Sequence, residues 1–513
     1  MAVISRRKFI REGSKWIAVA SIPAILHLDP TKVFAGPKAN ANMAEYFALF
    51  QVDDEIIKNT ISAALSHGGD FCDLYFEHRI SNWVGLQDNA VNKAYCDIEY
   101  GVGIRVVNGD QTGYSFTEEI SPEAMIKAAK TASNIANQTK MVPPQELKLK
   151  NIPNYYPVEK AWADVGIDQK IPIVQKLNNM LLDKDKRITK TRIWYGDWTS
   201  RILVADSDGN LSYDYRPMAE IHASCSAEQN GQKEENGFSL AARKGPEHFS
   251  EKNLEYVAQK AVDDTIILFD ATKPEAGEME VVLAAGSSGI LLHEAIGHGM
   301  EADFNRKNES IYSESIDKPV AEPMVSIVDD GTWESARGAL NIDDEGSDTE
   351  KTFLVKDGIL KSYMHDRISA KHYGMKSTGN GRRESFRYIP MPRMRCTYML
   401  NGPNTKEEII QSVKKGIYCE SFTNGEVHIG PGDFTFYVKN GSLIENGKIT
   451  KPIKDINIIG NGPEVLRNVV MVANDLKMDV GSGMCGKNGQ SVPVSMGLPT
   501  VKVSAITVGG TSS

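Results

Sequence analysis

Two imidazoles and a carboxylate stand together in Leu291-Leu292-His293-Glu294-Ala295-Ile296-Gly297-His298-Gly299, behind an apolar run. These are the residue types of a metal-dependent hydrolase. Neutral imidazoles ligate a divalent ion, and a neighbouring glutamate can move the proton of an attacking water. The usual zinc-peptidase motif sets its histidines four apart, on one helix face. Here they are five apart. At ~100° per residue, five positions turn the second imidazole about 140° away from the first, so a regular helix cannot aim both at one ion. The backbone is therefore expected to overwind, bulge or end between them. Gly297 and Gly299 flank His298, and glycine lets a helix pass into a π-type bulge or leave the α region at little cost. The competing reading is a buried helix with two incidental histidines.

A catalytic zinc takes three protein ligands and keeps a fourth position open for water. Two histidines are thus an incomplete set. The C-terminal half offers His365, His372, His428, many carboxylates and three cysteines. In Met478-Asp479-Val480-Gly481-Ser482-Gly483-Met484-Cys485-Gly486, small neighbours allow close backbone approach around one thiol. Spacing alone does not select Cys485 over the other donors.

The elements that must position these residues divide at a loop near 271–278. Before it, the sequence predicts a linker near 36–48 and a helix over Asp53 to Ser66, ended by Gly68-Gly69. A meander of antiparallel strands follows over 70–117, then a helix opened by Ser121-Pro122-Glu123. The order returns as a helix near 167–183, strands near 188–242 and a helix opening at Ser250. Beyond the loop come an apolar strand, Met279 to Ala284, and the His-Glu helix. From 320 onward short strands and turns dominate, at Asp357-Gly358, Asn440-Gly441, Asn446-Gly447 and Asn461-Gly462. The expected class is α+β. An N-terminal α/β domain of helices and antiparallel meanders covers 42–275, divisible into 48–140 and 155–270. A β-rich, barrel-like domain over 276–513 carries the metal site.

Residues 1–35 read as an export signal. Ser5-Arg6-Arg7-Lys8-Phe9-Ile10 has the twin-arginine pattern, and the apolar run Trp16 to Leu28 is too short for a permanent membrane anchor. Cleavage is expected at Val33-Phe34-Ala35, or as late as 41 at Ala39-Asn40-Ala41. The segment is basic, so the remainder is more acidic than the −9 of the whole chain. An acidic body offers no electrostatic footprint for nucleic acid. The six cysteines are too dispersed for a disulfide scaffold and are expected to be mainly buried thiols.

The run His293 to Phe304 resembles the TldD/PmbA family of metallopeptidases, specifically the TldD-type subunit. The resemblance extends to Gly101-Val102-Gly103-Ile104-Arg105, Asp343-Asp344-Glu345-Gly346, Ser377 to Ser385, Pro390-Met391-Pro392-Arg393-Met394 and Cys485-Gly486-Lys487 with Ser495 to Pro499. It implies one Zn2+ per chain, held by His293, His298 and Cys485, with Glu294 as the acid/base that relays a proton from water to the leaving amine. It also implies short or unfolded peptides as substrates, cleaved with low sequence preference inside a chamber enclosed by paired subunits. The partner is a second copy or a related PmbA-type subunit. His365, Arg382 and Arg383 are candidates for gripping a substrate carboxylate or stabilising an oxyanion, against the alternative that they structure a turn. Asp343, Asp344 and Glu345 read better as an acidic turn facing solvent than as a site for a peptide amine. The export signal points to an extracytoplasmic location. The alternative function is a non-catalytic partner or regulatory subunit with a structural or absent metal.

Overall fold

The computed structural model describes residues 42–136 and 145–510. The twin-arginine segment and both candidate cleavage points lie outside the described residues. Among those residues, no helix is long and apolar enough to cross a membrane.

The strand Phe71–Gln87 pairs antiparallel with Ala90–Asn108 on one side and with Ile188–Asp206 on the other. The two meanders are therefore one sheet. Gln111–Thr117 lies at one edge, and Asn210–Gln229 carries Gln232–Ala242 and Lys148–Leu149 at the other. Side chains alternate between the faces of a strand, and the two faces have different partners. Leu74, Phe76, Val102 and Ile104 meet the helices Asp54–Ala64 and Pro122–Ser133. Further along, Ile193, Tyr195 and Ile221 meet Ile167–Lys184 and Glu251–Ile266. The expected caps are in place: Asp53, Ser121 and Ser250 each accept a first-turn backbone N–H. The expected linker near 36–48 needs correction, because Met43–Phe50 is a helix capped by Asn42.

The opposite face carries Asp73, Tyr75 and Arg105, and there the C-terminal domain docks. Phe386 packs with Tyr75, Ile202 and Val204. A Cβ on Gly101 would lie 2.3 Å from the Phe386 ring, and one on Gly103 would lie 2.5 Å from the Phe386 carbonyl oxygen. The two glycines thus let the segment after Arg383 reach the sheet. Beside this contact runs a buried ionic network. Arg105 donates to Asp73 at 2.6 Å and meets Glu345 at 2.7 Å. Arg216 holds Asp214 and Asp344, and Arg383 reaches Asp73 at 3.2 Å. The expectation of an acidic turn facing solvent at Asp343-Asp344-Glu345 is therefore wrong. All three are buried, because arginines remote in sequence supply counter-charge to Asp344 and Glu345 while Asp343 accepts backbone N–H groups of Glu345, Ser347 and Gly381.

Removing one partner of a buried pair leaves an uncompensated charge, which destabilises by about 3–5 kcal/mol. Arg105→Met, which leaves Glu345 without its cation and Asp73 with Arg383 alone, is expected to lower unfolding stability by that amount in denaturant titrations. Stability within 1 kcal/mol of the parent, as a rough bound, would show that the network is not what holds the interface.

In the C-terminal part, five strands close on themselves. Lys415–His428 pairs in parallel with Gly277–Leu283, which pairs with Val501–Gly510, then Ile456–Asn461, then Asp433–Glu445, and back to Lys415–His428. This closed barrel agrees with the barrel-like expectation. A second sheet of six strands runs from Ile359–Leu360 through Cys396–Met399 and Ser495–Leu498 to Lys477–Met478. The turns expected at Asp357-Gly358 and Asn446-Gly447 form with positive φ at both positions. Asn440-Gly441 is no turn. It lies inside the strand Asp433–Glu445, where buried Asn440 hydrogen-bonds Asn236 and Asp264 of the N-terminal part.

Candidate metal centre

The barrel strand Gly277–Leu283 delivers the chain to the helix Gly289–Leu292. That helix starts tight against the second sheet, where a Cβ on Gly289 would lie 2.8 Å from the Gly497 nitrogen. His293–Gly297 then forms a π turn, with the His298 N–H bonded to the His293 carbonyl, and His298–Met300 tightens to a 3-10 turn. The widened turn answers the five-residue spacing, since i and i+5 become hydrogen-bonded neighbours. The two imidazole centroids lie 5.2 Å apart, nearly perpendicular. Gly297 contributes differently from the expectation. Its φ of −57° is ordinary helix, and what it provides is room, because a Cβ there would meet Met394 Sδ at 2.1 Å.

Cys485 arrives on the hairpin Met484–Lys487/Gln490–Pro493, turned by Asn488-Gly489 with positive φ at both. Two arginines brace it through backbone carbonyls. Arg393 donates to Cys485 O, and Arg382 bridges Met394 O at 2.6 Å and Pro493 O at 2.7 Å. One donor atom each from His293, His298 and Cys485 lies within 4.8 Å of the other two, and all three residues are buried. Cys485 Sγ is 3.6 Å from His298 Nε2. Glu294 Oε2 lies 3.7 Å from the same nitrogen, and a fifth of its side chain is exposed.

These residues fit a zinc ion. The set of two imidazoles and one thiol is a zinc set, and neither ring nitrogen of buried His293 hydrogen-bonds to protein. The electrostatics agree. Burial opposes a charged Cys485, yet His293 and His298 outweigh it and hold the thiol well below its ordinary range. Burial likewise opposes a charged His298, and Glu301 and Cys485 outweigh it. A pocket that favours a thiolate favours positive charge beside it. His298 Nδ1 meets Glu301 Oε2 at 2.9 Å, which directs Nε2 toward the cluster. Burial would raise the Glu301 pKa, but Lys487, His298 and Arg393 bring it down to about 2.

The three candidate substrate residues are placed differently from one another. Arg383 is fully buried at the docked sheet, with its guanidinium on Asp73, on Asp344 O and over the Tyr75 ring. It belongs to the interface between domains, not to a substrate. Arg382 is occupied by the hairpin carbonyls, and burial brings its pKa down to about 9. Its bracing of the Cys485 hairpin replaces the expected grip on a carboxylate. His365 follows Met364, which pairs with Met300 and Ala302 beside the histidine helix. Its ring lies against Tyr363 and Tyr373, and burial lowers its pKa to about 4, keeping it neutral.

Glu301, Lys487 and Arg393 were given no role from sequence, although each surrounds the donors. Local signals point to two of them: Glu301 sits one helical turn after His298, and Lys487 sits two strand positions after Cys485. Among the described residues all six cysteines are unpaired, and every one except Cys96 is buried, close to the expectation of buried thiols.

Comparison with known proteins finds three family models along the chain. PmbA/TldA metallopeptidase domain 1 matches residues 72–136, the central domain matches 160–269, and the C-terminal domain matches 276–510. The chain is 39% identical over 451 residues to a Haemophilus influenzae metalloprotease TldD homolog, covering 86% of this chain and 93% of that one. It is 28% identical over 454 residues to a Saccharolobus solfataricus zinc metalloprotease TldD homolog, covering 88% and 99%. The solved structure of TldE from Thermococcus kodakarensis superposes with a TM-score of 0.72 at 17% identity, over 89% of this chain and all of that one. That likeness is one of fold.

Proposed function

The chain belongs to the PmbA/TldA metallopeptidase family and is a metallopeptidase, and from that premise we propose that it uses zinc at His293, His298 and Cys485 to hydrolyse short or unfolded peptides. The observation that carries the reading is the partly exposed Glu294 carboxylate beside three buried, convergent donors. When bound, zinc supplies Lewis acidity that polarises a carbonyl and eases loss of a proton from water. Glu294 takes that proton on its carboxylate as the water oxygen bonds to the scissile carbon. It returns the proton to the amine nitrogen as the C–N bond breaks. His298, with its Nδ1 hydrogen directed at Glu301, keeps the Nε2 lone pair free as a donor. Arg382 and Arg393 hold the Cys485 hairpin still.

Low sequence preference follows if the peptide lies extended and is held through its main chain. In this reading, which rests on the family resemblance, a second subunit, either another copy or a PmbA-type chain, completes a chamber that admits unfolded polypeptide. The twin-arginine pattern of residues 5–10 supports export to an extracytoplasmic compartment. The purified protein is expected to carry about one zinc per chain and to cleave a disordered peptide. Chelation is expected to abolish cleavage, and zinc to restore it. Undiminished cleavage after the metal is removed would overturn the reading. The alternative is a non-catalytic partner or regulatory subunit with a structural or absent metal, and a structural zinc usually takes a fourth protein donor. Among the described residues the donor cluster contains three.

A further inference from the structure

The two halves of the donor set come from distant parts of the chain, 187 positions apart at His298 and Cys485. Besides the direct approach of Cys485 Sγ to His298 Nε2 at 3.6 Å, contacts from residues other than the donors join them. Glu301 is fully buried, and a single oxygen, Oε2, meets both His298 Nδ1 at 2.9 Å and Lys487 Nζ at 3.0 Å. Lys487 is buried on the hairpin that carries Cys485. Its ammonium group also reaches Asp303 at 2.7 Å and Pro392 O at 3.1 Å. Arg393 closes the ring, with Nε 4.0 Å from Glu301 Oε1 and a hydrogen bond to Cys485 O.

Strand geometry gives these contacts a consequence. Residues i and i+2 share a face, and the burial of Met484–Lys487 alternates accordingly, with Cys485 and Lys487 inward and Met484 and Gly486 outward. A slip of one residue would turn the thiol out and present Met484 or Gly486 to the histidines. A buried ion pair adds little net stability over an apolar pair of equal size, and its best-attested use is to fix register.

We propose that Glu301 and Lys487 form a buried clamp that registers the Cys485 hairpin on the His298 turn and thereby sets the affinity of the three-donor centre for its metal. The proposal rests on the reading of that centre as a zinc site. Both are positioning residues, since neither offers a ligand.

The test measures zinc affinity of the full chain by competition with a chromophoric chelator, for the parent, Glu301→Gln, Lys487→Met and the double variant. Each single variant is expected to weaken zinc binding by about 10–100-fold. The double variant is expected to be no weaker than the worse single one, because the two act as one device. Lys487→Arg, which keeps the cation, is expected to recover most of the affinity. Cobalt loading then reads the thiolate through sulfur-to-metal absorption. At saturating cobalt that band is expected to weaken in both single variants.

Parental affinity in Lys487→Met overturns the clamp, as does a double loss equal to the product of the single losses. An undiminished cobalt–thiolate band in Glu301→Gln also overturns it, leaving Glu301 to orient His298 alone. Failure of the parent itself to bind zinc would instead overturn the underlying metal site. Melting of the metal-free proteins separates loss of clamping from loss of fold, and Lys487→Arg serves as the folded comparison should Lys487→Met unfold.

Discussion

Glu294→Gln is expected to lower peptide hydrolysis by about 10²–10⁴-fold, the range for removing a general acid/base, while zinc content stays at the parental level. The two effects separate because of where the carboxylate stands. Glu294 is the partly exposed member of the group, 3.7 Å from His298 Nε2, whereas the donor cluster is formed by His293, His298 and Cys485. The amide of glutamine preserves size and hydrogen bonding but accepts no proton at neutral pH. The local backbone is fixed by other contacts: the π turn by the bond from His298 to His293, and Gly462 packed so closely on Ala295 that a Cβ would fall 2.0 Å from its carbonyl oxygen. Single-turnover rates on a disordered peptide, measured alongside metal content, decide the matter. A variant that cleaves at the parental rate would remove Glu294 from the proton path. A variant that loses its zinc would make the carboxylate part of the binding set.

How much of this was legible in the sequence depended on whether the cause of a feature was local. The five-residue spacing demanded a distorted helix, and the π turn at His293–Gly297 is that distortion. The caps at Asp53, Ser121 and Ser250 were readable because a cap acts within three residues. The helix Met43–Phe50 carries the same kind of signal in Asn42, within the stretch whose composition reads as linker. Features with distant causes were misread. Asn440-Gly441 has turn chemistry, yet the barrel draws it into a strand and Asn236 occupies its side chain. Asp343-Asp344-Glu345 reads as a solvated turn until Arg105, Arg216 and Arg383 arrive from elsewhere. The site divides in the same way. Its histidines and glutamate are contiguous, but the thiol meets them only through tertiary structure, and spacing could not select it among the donors. Family resemblance did that.

Cys485→Ser is expected to weaken zinc binding by more than about 100-fold, beyond the range for residues that only support a ligand. The oxygen is smaller and far less acidic than the sulfur, so the variant lacks the anionic donor that His293 and His298 stabilise in the parent. The rest of the hairpin does not depend on the thiol. Its Asn488-Gly489 turn, the Arg393 bond to the Cys485 carbonyl and the Arg382 bond to Pro493 are all backbone features. The variant should therefore fold and melt close to the metal-free parent, and cleavage should return in part when zinc is supplied in excess. Cys419→Ser is the control. Burial holds that thiol well above its ordinary pKa in the barrel core, so the substitution should reduce stability through an ill-satisfied buried hydroxyl and leave zinc affinity unchanged. Equal zinc affinities for the parent and Cys485→Ser would mean that the third donor lies elsewhere. Cys485 would then pack against His293 and His298 without ligating the metal.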